Sequence, residues 1–155
     1  MAKLIFVNLP VTDLARSTAF YEAVGATRNP QFSDDTAACM VFSDVIHVMI
    51  LTHAKFAQFT PRAIADAHKT SEVLLCVSCD SREEVDRVTE AALAAGGREP
   101  REKQDFGFMY GRSFEDPDGH IWEPMWMDMA ALGDRHAAEA TQAAAEANDA
   151  QESAA

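Results

Sequence analysis

The chain carries the same pattern twice. Ile5-Phe6-Val7-Asn8-Leu9 is an apolar stretch closed by Val11-Thr12-Asp13, and a helix-like run follows that ends at Gly25. Sixty-six residues on, Val73-Leu74-Leu75-Cys76 is closed by Val77-Ser78-Cys79-Asp80 and leads into a second such run ending at Gly96-Gly97. Short strand-like segments follow each helix. A repeat of this length is a supersecondary unit, too small to bury a core alone and large enough to pack on its copy. The sequence therefore predicts an α+β protein of two βαβββ modules, about residues 3–52 and 72–128. They share a single domain over 1–128, with a connector over 53–71 and an Ala/Glu-rich tail over 129–155.

Alternation assigns faces. Ile5, Val7, Leu9 and Val11 share one face of the first strand, with Phe6 and Asn8 on the other. Ile46, Val48 and Ile50 lie opposite His47, Met49 and Leu51, and Val73, Leu75 and Val77 opposite Glu72, Leu74 and Cys76. Further strands are predicted over 26–32, 36–42, 98–103, 109–114 and 120–127. Thr12 or Asp13 can cap the first helix, whose apolar stripe reads Leu14, Thr18, Tyr21, Val24. Ser81-Arg82-Glu83-Glu84 is a capping box for the second, with Val85, Val88, Ala92 and Ala95 as its stripe. The tail has no apolar stripe to dock it, so a frayed helix or disorder is expected there.

A formal net charge of −12 argues against nucleic acid and anionic membrane surfaces as partners. No apolar run reaches 18 residues and the N-terminus leads straight into a strand pattern, so a cytoplasmic protein is expected. Cys76-Val77-Ser78-Cys79 has C-x-x-C spacing, but no second such pair and no nearby His complete a zinc site. Cys39, Cys76 and Cys79 read as ordinary, partly buried thiols.

The plan, with Val11, Asp13, Leu14, Ser17, Phe20 and Tyr21 near the start and Phe114, Asp116-Pro117-Asp118-Gly119-His120-Ile121-Trp122-Glu123 before the last strand, resembles the vicinal oxygen chelate superfamily. That superfamily includes glyoxalase I, extradiol dioxygenases and the bleomycin- and fosfomycin-resistance proteins. The likeness covers about residues 3–128. It implies a curved mixed sheet with helices on the convex side and a concave cup for a ligand, and a homodimer. Against the alternation, Phe6, Asn8, His47, Met49, Leu74, Ile121 and Met125 line that cup with Glu72 and Glu123.

The resemblance also implies a metal donor on the first and last strand of each module, which here are Phe6, Met49, Glu72 and Glu123. Glu123 matches the pattern, Glu72 offers an oxygen where His is usual, and Phe6 cannot coordinate. His47 lies two residues from the place a donor needs, a displacement of roughly 6–7 Å along a strand. A resident metal is therefore not favoured; a divalent ion, if present, would fall to Glu123, Glu72 and His47. Without one, Glu72 and Glu123 are the candidate catalytic pair, since two carboxylates in an apolar cup raise one pKa toward that of a general base. The plainer alternative is an ion pair, with Arg112 as the candidate partner and rim residue. Trp122 and Trp126 read as core or dimer contacts, Phe56 and Phe59 as lid or subunit contacts, and His68, His120 and His136 as turn or surface residues. Two functions stay open: a metal-independent small-molecule site of the resistance type, or a metal-dependent lyase, isomerase or dioxygenase.

Overall fold

The computed structural model describes residues 3–152, with side chains to residue 143. The first module contains β1 (Ile5–Val11), α1 (Leu14–Ala23), β2 (Thr27–Asn29), a 3-10 turn (Pro30–Phe32), β3 (Ala37–Val41) and β4 (Ile46–Thr52). A short helix α2 (His53–Phe56) opens the connector. The second module contains β5 (Leu74–Ser78), α3 (Arg82–Ala94), β6 (Gln104–Asp105), β7 (Met109–Gly111), β8 (Phe114–Glu115) and β9 (Ile121–Met127). The tail forms α4 (Met129–Glu152), so most of it is helical; residues 153–155 lie outside the described residues. Asp128 starts α4 by accepting from Ala130 N and Ala131 N, both at 3.0 Å. Among the described residues, no helix is long and apolar enough to cross a membrane.

The repeat is visible in the pairing. There are two mixed sheets, ordered β1-β4-β3-β2 and β5-β9-β7-β6, with β8 on β9. In each, the first strand of the module runs parallel to the last, β1 beside β4 and β5 beside β9. The break between β7 and β8 has a local cause. Gly111 pairs with Met125 and Phe114 with Trp122, so Arg112 falls opposite Pro124. Arg112 N donates to Pro124 O at 3.2 Å, but proline has no N–H to return the bond. The strand expected over 98–103 reduces to one bridge, Arg98 to Glu115, before β6.

Helix packing follows the caps and corrects one stripe. Asp13 caps α1, accepting from Arg16 N at 2.9 Å. The buried side of α1 is Ser17, Phe20 and Tyr21 rather than the expected row through Thr18, whose hydroxyl turns back to Leu14 O. Ser17 can be buried because its hydroxyl donates to Asp118 at 3.1 Å. On α3, Ser81 Oγ accepts from Glu84 N, and the Glu84 carboxylate reaches one residue past the cap to Asp80 N at 2.8 Å. One core contains residues of both modules, including Leu9, Val11, Val48 and Ile50 with Ala92, Phe114 and Trp122.

The segment 116–120 locks the modules together. Asp118 accepts from Thr12 N (2.9 Å), Thr12 Oγ1 (2.6 Å) and Ser17 Oγ. Asp116 accepts from Tyr21 Oη at 2.7 Å and from Asp118 N and His120 N at 2.9 Å. Tyr21 Oη in turn accepts from Trp122 Nε1 at 3.1 Å, and Phe20 packs on Phe114 with ring centroids 5.9 Å apart. Burial, with Asp116 beside it, pushes the Tyr21 pKa well above its ordinary value; burial also raises that of Asp116. The motifs that carry the family resemblance are thus largely each other's partners.

Candidate functional site

The open faces of the two sheets follow the alternation. On the first, Phe6 stacks on His47, 4.8 Å between centroids and 16° between planes, and Asn8 pairs with Met49 along the strands. Both ring nitrogens of His47 are buried without a hydrogen-bond partner. On the second, Leu74 pairs with Ile121, Cys76 with Glu123, and Ser78 with Met125. Trp122 lies on the opposite, buried face, 3% exposed. Glu123 is not free: Arg101, from the segment before β6, makes an ion pair with it. Burial raises the neighbouring Cys76 thiol, and the Glu123 charge adds to the effect. Cys79 is pushed up to about 11, chiefly by burial, so neither thiol is primed as a nucleophile.

A cavity of about 270 Å³ opens where the modules meet, slightly below the ~300–1,000 Å³ usual for ligand sites. β1 contributes Val7 to Pro10, the 119–121 segment its floor, and α2 the Phe56 ring. The connector covers it with Thr60 and Arg62 to Ala65 at one end and Thr70 to Val73 at the other. Gly119 makes the cover possible: at φ +91°, a Cβ there would sit 2.7 Å from His68 N. His120 Nε2 lies 2.9 Å from Pro10 O, which can only accept, so this nitrogen donates there.

The expected site residues therefore divide. Asn8, Glu72 and Ile121 line the cavity. Phe6, His47 and Met49 lie on one open face, and Leu74, Glu123 and Met125 on the other. Glu72 is not on a strand, because β5 begins at Leu74 where β9 first offers a partner in Ile121. Arg112 does not line this cavity: it bonds Glu99 (2.8 Å), Glu90 (2.7 Å) and Asp86 (3.1 Å), two of them on α3. These carboxylates raise its pKa, hydrogen bonding to Glu99 foremost. His120, read from sequence as a turn or surface residue, is partly buried and lines the cavity with Phe56, while Phe59 is 70% exposed. Arg62 and Arg101 carry no signal in the sequence, because both sit in segments without periodicity, where no face can be assigned.

The donors do not suit a metal held by three protein ligands. Of the three expected for an ion, His47 stacks on Phe6 with both ring nitrogens buried, Glu72 lines the cavity and Glu123 is engaged by a guanidinium; Phe6 has no donor atom and Met49 offers a thioether. Among the described residues, no three His, Cys, Asp or Glu side chains gather into a group able to hold an ion.

Solved structures share this architecture. A hypothetical protein from S. aureus is 25% identical with a TM-score of 0.69, the match covering 81% of this chain and 94% of that one. A glyoxalase/bleomycin resistance protein/dioxygenase family enzyme from Burkholderia phytofirmans PsJN is 20% identical (TM-score 0.67; 81% and 99% covered). The fosfomycin resistance protein FosX from Mesorhizobium loti is 19% identical (TM-score 0.63; 85% and 98%). No curated protein sequence shows significant similarity to the chain. The sequence pattern described as the Glyoxalase/Bleomycin resistance protein/Dioxygenase superfamily matches residues 3–123, most of the length, and the chain belongs to that superfamily.

Proposed function

We propose that this chain is a glyoxalase/bleomycin-resistance-like small-molecule-binding protein whose site works without a resident metal. The observation that carries the reading is the cavity between β1 and the 119–121 segment, covered by the connector. It is concave, mostly apolar and equipped with a few polar groups, which is how ligand sites are built. Asn8, Glu72 and Ile121 are its assigned ligand contacts, and the open faces adjoin it at Asn8 and Ile121. The Arg101 guanidinium gives the Glu123 carboxylate the positive partner that a metal cation would otherwise be. In the same reading the protein works in the cytoplasm as a homodimer. The exposed apolar side chains of Phe6 and Leu74, on the open faces, supply the surface for a second copy, which light scattering would detect.

Thermal-shift screening of small organic molecules, run in excess chelator, tests the central claim. A ligand at 100 times its Kd should stabilise the protein by about 2.7 kcal/mol. Ala63→Trp, which fills the cavity from the connector side, should abolish the shift. Protection that persists in that variant would place binding elsewhere. Stoichiometric metal in the purified protein, with binding lost on chelation, would favour the metal-dependent lyase or dioxygenase alternative.

A further inference from the structure

Opposite charges line the cavity and do not meet. Arg62, midway along the connector, and Glu72, just past its end, both line it, and both are exposed. Neither side chain makes an ion pair or hydrogen bond among the described residues, whereas seven of the nine arginines, all but Arg28 and Arg62, are in ion pairs. In a chain with 25 Asp and Glu against 13 Lys and Arg, an arginine without a carboxylate partner is the exception. The Arg62 backbone is fixed, its N–H donating to Thr60 Oγ1 at 3.2 Å, while its guanidinium is left available.

We infer that the cavity selects a small zwitterion, a molecule with an anionic and a cationic end separated by an apolar body. This deepens the proposed function and rests on it. Arg62 presents a planar fork of donors that matches a carboxylate, and Glu72 accepts from an ammonium. Val7, Ile121 and Phe56 line the same cavity and supply apolar surface for the body of such a ligand. A ligand carrying one charge fits worse in either sense. A simple anion brings its charge beside Glu72 and enters a protein of net charge −12; a simple cation meets Arg62. A zwitterion satisfies both groups at once and has no net charge for the protein's field to repel. The cavity volume suits a body of amino-acid size.

Calorimetry or ligand-observed NMR with leucine, N-acetylleucine and leucinamide tests this, because the three share one body and differ in end charges. Leucine should bind at least about tenfold more tightly than either single-charge analogue. Arg62→Gln should weaken leucine and N-acetylleucine and spare leucinamide; Glu72→Gln should weaken leucine and leucinamide and spare N-acetylleucine. Equal affinity for leucine and one analogue would overturn the inference, as would no leucine binding at millimolar concentration. Isobutanol, an uncharged probe of the same apolar body, separates the two failures. If it binds and Ala63→Trp abolishes that binding, the cavity stands as a ligand site and the zwitterion class falls. If isobutanol binding survives Ala63→Trp, the cavity reading falls as well.

Discussion

The lock at 116–120 and the cavity beside it share the segment around Gly119 and His120, yet they treat polar groups in opposite ways. In the lock, Asp116 and Asp118 are 2% and 9% exposed, and each accepts from at least three donors. In the cavity, Arg62 and Glu72 are exposed and, among the described residues, unpaired. A buried carboxylate left without partners is costly, so the lock tolerates no vacancy. An exposed charge costs nothing while it waits for a ligand. Satisfied polar groups hold the modules together, and unsatisfied ones mark where something else can bind.

Asp118→Ala removes three hydrogen bonds between the modules and leaves the buried Ser17 hydroxyl without its acceptor. Losing one side of a buried charged network costs about 3–5 kcal/mol, which denaturant unfolding would measure. Tyr21→Phe is gentler. It leaves the Asp116 backbone contacts in place but orphans Trp122 Nε1 in the core, at a cost of about 1–3 kcal/mol. If either variant unfolded at the wild-type denaturant midpoint, the lock would not be holding the modules.

The two regions were not equally legible in the sequence. The β4 boundaries Ile46–Thr52 and the faces of β1, β5 and β9 followed from period-two alternation, because a strand in one sheet has only two directions to point. The partners of Asp116 and Asp118 did not, because they are 95 and 101 residues away at Tyr21 and Ser17. Thr18 keeps the i, i+4, i+7 spacing from Leu14 to Tyr21, whereas the acceptor that allows Ser17 to be buried, Asp118, lies 101 residues away. Arg101 and Arg62 were invisible for another reason: neither lies on a periodic element, so no pattern could direct them toward Glu123 or the cavity. The partners of Arg112 were illegible for the same reason as those of the lock: Asp86, Glu90 and Glu99 come to it from other elements.

A smaller effect lies outside both regions and calibrates them. Asp105 is held down to about 2, chiefly by hydrogen bonds from Arg82, with Gly107 N adding a further bond. A carboxylate depressed in the folded state stabilises above its ordinary value of 3.8, and the contribution is lost as pH falls through about 2. Stability of the wild type should therefore decline across that window, and Arg82→Gln should flatten the decline. Because the pair is solvent-screened at the surface, the change should be far smaller than that from Asp118→Ala. An equal loss would mean that surface pairs hold the fold as firmly as the lock does.

The smallest expected change in stability is at the cavity charges, and there the comparison is sharpest. Arg62→Gln and Glu72→Gln each remove a charge that has no partner to lose, so each should alter unfolding free energy by no more than about 0.5 kcal/mol in either direction. Removing one acidic group from a chain of net charge −12 should if anything make Glu72→Gln slightly stabilising, by relief of self-repulsion. Chemical denaturation of both variants, read beside Asp118→Ala, decides the matter. A loss of several kcal/mol on Arg62→Gln would show that its guanidinium holds the connector in place, making it part of the scaffold. A negligible change leaves the charge available for a ligand, as a group kept for binding requires.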